Sequence, residues 1–97
     1  MKYEKPKLPD FKFEGGKLLI TPEAGAGLTD VEVVHAFCRH FVGDWGDIDQ
    51  SDWEENERAL AAGGRLFSAY DSKSGYRFWI ITQCDRSVTT LLLPDEY

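Results

Sequence analysis

The chain has 97 residues, 42% of them apolar, and carries 17 acids against 11 bases for a formal charge of −6. That length suits one domain with one core, and six Phe, four Tyr and three Trp are too rich a supply for a disordered chain. The acidic balance argues against general affinity for nucleic acid or anionic membrane, because backbone binding needs clustered Lys and Arg.

Residues 1–16 combine two prolines, closely spaced charges and the pair Gly15-Gly16, the composition of a flexible, lysine-containing arm before a single domain at 17–97. Charge is uneven along the chain. Within residues 1–17, Lys2, Lys5, Lys7, Lys12 and Lys17 face only Glu4, Asp10 and Glu14, a net of +2, which leaves −8 on the rest.

Lys17-Leu-Leu-Ile-Thr21 is a short apolar run that predicts the first strand, stopped by Pro22, which cannot donate to a ladder. Residues 22–28 hold two glycines and read as a loop or a single helical turn. Thr29-Asp-Val-Glu32 is a capping box. Behind it Val31, Val34, Cys38 and Phe41 recur at helical spacing, predicting an amphipathic helix over 30–42 closed by Gly43. Ser51-Asp-Trp-Glu54 reads as a second capping box. The helix it opens is expected to reach Ala62, with Trp53 and Leu60 as a thin apolar stripe.

From Arg65 the period changes. Segments 65–71, 76–83 and 88–93 are rich in β-branched and aromatic residues, and turn-forming tetrads at 72–75 and 84–87 separate them. The order β-α-α-β-β-β predicts an α+β fold, an antiparallel sheet of three to four strands with two helices packed on one face. In Tyr76–Thr82 both sheet faces are apolar, Phe78 and Ile80 on one, Trp79 and Ile81 on the other. Either both faces are covered, or one is an aromatic patch that seeks a partner or a twin subunit.

The densest chemical feature is Asp44, Asp47, Asp49, Asp52, Glu54, Glu55 and Glu57, with no base among them. Desolvating an unpaired charge costs several kcal/mol, so these side chains are expected to face solvent, counterions or a basic partner protein. A solubilising face is one reading. An electrostatic docking surface is the other, since helix neighbours sit ~5–6 Å apart, near the spacing of phosphates along a strand. A second candidate patch comprises Trp45, Tyr70, Trp79 and Ile81.

Catalytic and metal chemistry find little footing. Asp44, Asp47 and Asp49 lack the EF-hand's closing Glu. His35-x-x-Cys38-x-His40 puts only two ligands on one helix face, so Cys38 reads as a small buried hydrophobe and the histidines as flanking residues. No P-loop, GxSxG or HExxH pattern occurs, so no enzyme activity, metal or cofactor is expected. Asp85-Arg86 reads as a turn whose aspartate bonds nearby backbone N–H groups and whose arginine pairs with an acid of the second helix, the alternative being a functional patch beside Trp45. Cys38 and Cys84, without a disulfide framework, fit a reducing cytoplasm, and no apolar run approaches the ~20 residues of a membrane span.

Gly43-Asp-Trp-Gly-Asp47, Glu55-Asn-Glu57, Gly64–Tyr70, Phe78-Trp-Ile-Ile-Thr82, Asp85-Arg86-Ser87-x-Thr89-Thr90 and Leu93-Pro-Asp-Glu-Tyr97 together resemble a family of small uncharacterised bacterial proteins found on plasmids and other mobile elements. The resemblance covers a little over half of the chain. It implies a bacterial host and mobile DNA rather than a chemistry. By analogy, it suggests a counter-defence inhibitor such as an anti-CRISPR protein, whose negative face occupies a basic nucleic-acid-binding surface of a CRISPR effector complex. The alternative is a regulatory domain, monomeric or homodimeric, acting through the aromatic sheet face.

Overall fold

A computed structural model describes residues 10–97. Its elements in chain order are β1 (Lys17–Ile20), α1 (Pro22–Gly27), α2 (Asp30–Phe41), α3 (Gln50–Ala62), β2 (Leu66–Asp71), β3 (Arg77–Thr82), β4 (Val88–Leu92) and a closing 3₁₀ turn, Pro94–Glu96. The fold is α+β, and residues 22–28 supply a short additional helix.

The sheet order is β1-β4-β3-β2. β2, β3 and β4 form the antiparallel meander that their short turns dictate. β1 corrects the expectation of an all-antiparallel sheet: it runs parallel to β4, with Leu18 opposite Thr89 and Ile20 opposite Leu91. No hairpin joins β1 to its neighbour. Its direction is set by the helical connection that follows it, and such crossovers permit parallel pairing.

Leu28, Ala36, Phe37 and Phe41 from the helical layer meet Tyr70, Phe78, Ile80 and Leu91 of the sheet in the main core. Burial of each Phe contributes about 1.5–3 kcal/mol. Trp45, Ala59 and Leu66, flanked by Trp53 and Leu60, form a second cluster that seats α3 near β2.

The cap at Thr29 forms as expected: its hydroxyl accepts from the Glu32 N–H, and the Glu32 carboxylate accepts from the Thr29 N–H. The buried face of α2 differs from the expected one. Phe41 is buried, but Val31 and Val34 are 78% and 62% exposed, and Ala36, Phe37 and His40 point inward instead. Two apolar stripes share this helix, and the one carrying a stacked Phe37–Phe41 pair has more area to bury. The start of α3 is also corrected. Asp49 is the N-cap, accepting from the Asp52 N–H at 2.9 Å, and Ser51 donates to the same carboxylate instead of capping.

Residues 10–16 are packed against the domain rather than detached from it. Lys12 N–H donates to Phe41 O at 2.7 Å, and the Phe13 ring lies against His40, Phe41 and Trp45. Gly15 is buried so closely that an added Cβ would press into the Phe41 ring and the Thr89 hydroxyl. The remainder of the expected arm, residues 1–9, lies outside the described residues.

Candidate functional site

The loop from Phe41 to α3 and the first turns of that helix carry all seven predicted carboxylates, and the structure divides them by role. Asp44 is a structural staple. It takes a bidentate bond from Arg39 at 2.7 and 3.2 Å, and the Arg39 guanidinium also lies 4.5 Å over the Tyr70 ring. That pairing, more than any other contact, holds the Asp44 carboxyl below its ordinary range. Asp47 pairs with Arg77 at 2.9 Å, which also reaches Asp71, and Glu55 pairs with Arg58 at 2.7 Å.

The other four have no cation within ion-pair distance among the described residues. Asp49 caps α3, and its two hydrogen-bond donors are the Asp52 N–H and the Ser51 hydroxyl. Glu57 accepts from the Trp45 indole N–H at 3.3 Å, and Glu54 from the Gln50 amide at 3.3 Å. Asp52 and Glu54 are exposed. The Asp52 carboxyl is raised above its ordinary range, first by lost hydration and then by repulsion from Asp49 and Glu55. Around α3, eight carboxylates counting Asp71 thus meet three guanidiniums, Arg39, Arg58 and Arg77. Among the described residues, five negative charges stay unmatched.

α3 presents this charge on a fixed support. Asn56 is buried and fastens the helix to the edge of β2 as a strand would, donating to Phe67 O at 2.6 Å and accepting from Phe67 N–H at 3.1 Å. At the other end Arg86, in the left-handed region at φ 63°, sends its guanidinium to Ala59 O at 2.9 Å and Gly64 O at 2.5 Å. It therefore caps a last-turn carbonyl of α3 and ties it to the Gly64 carbonyl just beyond the helix, which corrects the expected pairing with an acid. Asp85 behaves as expected, accepting from Ser87 N–H at 2.9 Å. A third tie runs through Gly46, which pairs with Ala69 alongside β2. Its φ is +78°, and a Cβ there would collide with the Ala69 carbonyl and the Tyr70 ring.

The second predicted patch does not assemble. Trp45 is fully buried and Tyr70 nearly so, both on the helix-covered side, with the Tyr70 hydroxyl donating to Asp44 O at 2.6 Å. Trp79 and Ile81 lie on the opposite face, where the Trp79 ring meets Phe67 and Tyr97 edge-on and Ile81 is buried. Arg65 holds Tyr97 there through its hydroxyl and a cation–π contact. Tyr97 thus covers part of this face, and Trp79 remains half-buried.

A polar group that the spacing concealed is the buried chain Ser68–His40–Thr82–Thr89. His40 Nδ1 lies 2.5 Å from Ser68 Oγ, and Nε2 lies 2.9 Å from Thr82 Oγ1. Thr82 and Thr89 hydroxyls are 2.7 Å apart, and Thr89 donates to Gly15 O at 2.8 Å. A carbonyl only accepts, so the direction of every proton follows from that end. Thr82 must donate to Thr89 and accept from His40 Nε2–H, which leaves Nδ1 unprotonated to accept from Ser68. His40 is fully buried, a correction to its reading as a flanking residue. Burial first, then the nearby Arg86 charge, lowers its pKa from 6.5 to about 3. The arrangement is closed to solvent, so this Ser–His pair has no access to a substrate.

Among the described residues no three His, Cys, Asp or Glu side chains converge as a metal site would require. Asp44, Asp47 and Asp49 point to Arg39, Arg77 and the α3 N-terminus instead of to one another. Cys38 is half-buried rather than in the core, and Cys84 is exposed; both thiols are free. No helix among the described residues is long and apolar enough to cross a membrane. No family model, curated protein or solved structure matches the chain.

Proposed function

We propose that the chain is a non-enzymatic binding protein whose acidic α3 surface docks on a basic surface of a partner protein, the kind of surface that otherwise holds nucleic acid. The observation that carries this reading is the set Asp49, Asp52, Glu54 and Glu57, which make no ion pair among the described residues, on a helix tied down by Asn56 and Arg86. Like charges held close on a rigid support store repulsion that a cationic partner relieves. On a bacterial mobile element, the proposed setting is counter-defence, with a CRISPR effector complex as the basic partner and the protein acting as an anti-CRISPR inhibitor in the host cytoplasm.

Affinity capture from a bacterial lysate at low and high salt tests the reading. Exposed charge pairs are screened over a Debye length of about 10 Å at ~0.1 M salt, so the captured partner should be lost as salt rises. The triple reversal Asp52→Lys, Glu54→Lys, Glu55→Lys should abolish capture while circular dichroism stays that of the wild type. A triple variant that captures the same partner at the same salt removes the acidic face from the account.

A further inference from the structure

The two edges of the sheet are finished differently. Along β2, Phe67 is sealed by Asn56 and Ala69 by Trp45 O and Asp47 N–H, so the outward backbone groups of both residues are occupied. Along β1, Lys17 N–H donates to Ser87 O and Thr21 N–H to Leu91 O, which fixes residues 17, 19 and 21 as those facing β4. By strand alternation the N–H and C=O groups of Leu18 and Ile20 point away from the sheet, and no partner for them occurs among the described residues. Leu18, Leu19 and Ile20 are 49%, 42% and 43% exposed. The strand thus offers a bare hydrogen-bonding edge flanked by apolar side chains on both faces. Natural edges are blunted by shortness, lysine, proline, a bulge or an inward charge; this strand is short and bounded by Lys17 and Pro22, but from Leu18 to Ile20 it carries no charge, proline or bulge.

We infer that β1 is a self-association edge, pairing antiparallel with β1 of a second copy of this chain about a twofold axis at Leu19. In that register Leu18 pairs with Ile20 of the second copy and Ile20 with its Leu18. The outward-facing residues, which carry the free backbone groups, therefore meet one another, as a hydrogen-bonded antiparallel pair requires. Leu19 faces Leu19 across the axis, and Lys17, the strand's one charged side chain, faces Thr21 rather than another lysine. Apolar residues meet apolar residues on both faces, and the helical layers of the two copies lie on the same side. Shifting the axis by one residue toward the C-terminus would set Leu18 against Pro22, which has no N–H to give. Shifting it the other way would set Ile20 against Gly16, whose lack of a side chain forfeits the apolar pair. An open hollow lined by Phe11, Phe13, Leu18 and Phe41 adjoins the strand and adds apolar surface beside it. Because the β2 edge is sealed at Phe67 and Ala69, the pairing consumes the described sheet's open edge and stops at a closed dimer. A four-residue edge is short beside the ~800 Å² per partner of a stable interface, so the dimer is a reversible, concentration-dependent one.

Sedimentation equilibrium of the full chain over a micromolar-to-millimolar series tests this. The wild type should pass from monomer to dimer, and Leu19→Lys and Leu19→Glu should each remain monomeric, since like charges directly opposite are destabilising. An equimolar mixture of the two variants should recover a heterodimer. Amide exchange supplies a readout that needs no variant: Leu18 and Ile20 should be protected at high concentration and lose at least about tenfold of that protection on dilution, the factor ~1.4 kcal/mol of pairing supplies, while Leu19 stays protected at both. A wild type that is monomeric throughout, variants that dimerise as the wild type does, a mixture that stays monomeric, or Leu18 and Ile20 exchange that ignores concentration each overturns the proposal.

Discussion

Acidifying the protein from about pH 7 to about pH 5 should weaken it through one residue. His40 is buried with both ring nitrogens engaged, Nε2–H donating to Thr82 and Nδ1 accepting from Ser68. A second proton would put a donor on Nδ1, against a Ser68 hydroxyl that already points its hydrogen there, and would leave a charge in the core. The unfolded chain takes up that proton near 6.5, the folded one only near 3. For a base whose folded pKa is depressed, the unfolded state binds more protons between those two values. Stability is therefore whole above 6.5, falls as pH drops, and levels off near 3. Integrating over the stated interval gives a loss of about 2 kcal/mol. The carboxylates that folding shifts downward, Asp44, Asp49, Asp85 and Glu32, have ordinary values of 3.8 and 4.5 and add their own losses mainly at still lower pH. Urea titrations at the two pH values measure the difference. The His40→Gln variant, which keeps one donor and one acceptor but cannot titrate, should lose most of the pH dependence even if it is less stable throughout. A wild type whose stability is flat across the interval, or a His40→Gln variant that loses as much as the wild type, refutes the reasoning.

Other substitutions probe the supports of α3. Asn56→Ala leaves the Phe67 N–H and C=O at the β2 edge without partners, and should cost about 2–4 kcal/mol by urea denaturation. Arg86→Lys should cost roughly 1–3 kcal/mol, because an ammonium cannot span Ala59 O and Gly64 O as the planar fork does; hydrogen exchange should show the last turn of α3 opening first. Gly46→Ala forces a side chain into the Ala69 carbonyl at positive φ, and should lower stability by at least about 2 kcal/mol, read as a drop in thermal midpoint.

The buried polar chain explains why an aromatic, acidic domain of this size places histidine at its centre. Ser68, Thr82 and Thr89 come from three adjacent strands and Gly15 from the segment before β1, so the network forms only when all of them are in register. A slip of one residue in any strand would turn its hydroxyl to the other face and leave a buried group unpaired. Among the described residues no buried side-chain polar atom lacks a partner. The network therefore acts as a register check as well as a core filler.

Much of the architecture was legible in the chain. Element types and most boundaries followed from local rules: the Thr29–Glu32 capping box, the Gly63 stop, and the turn tetrads that separate β2, β3 and β4 act over a few residues and do not depend on what packs against them. The acidic run was legible as a run. Which of its members are free was not, because Arg39, Arg58 and Arg77 approach from a neighbouring helix, the same helix and a distant strand. The second patch failed for a related reason: alternation tells which residues share a face but not which face the helices cover.

Composition and local pattern determined an α+β chain with an acidic segment at the start of α3, since propensity, capping and charge are properties of neighbours in sequence. Long-range packing set β1 parallel to β4, turned Phe37 and His40 rather than Val31 and Val34 inward, and brought Asn56 and Arg86 to clamp the acidic helix. Those choices turn on which of two comparable surfaces buries more area and satisfies more backbone groups. Both quantities are set by residues tens of positions away.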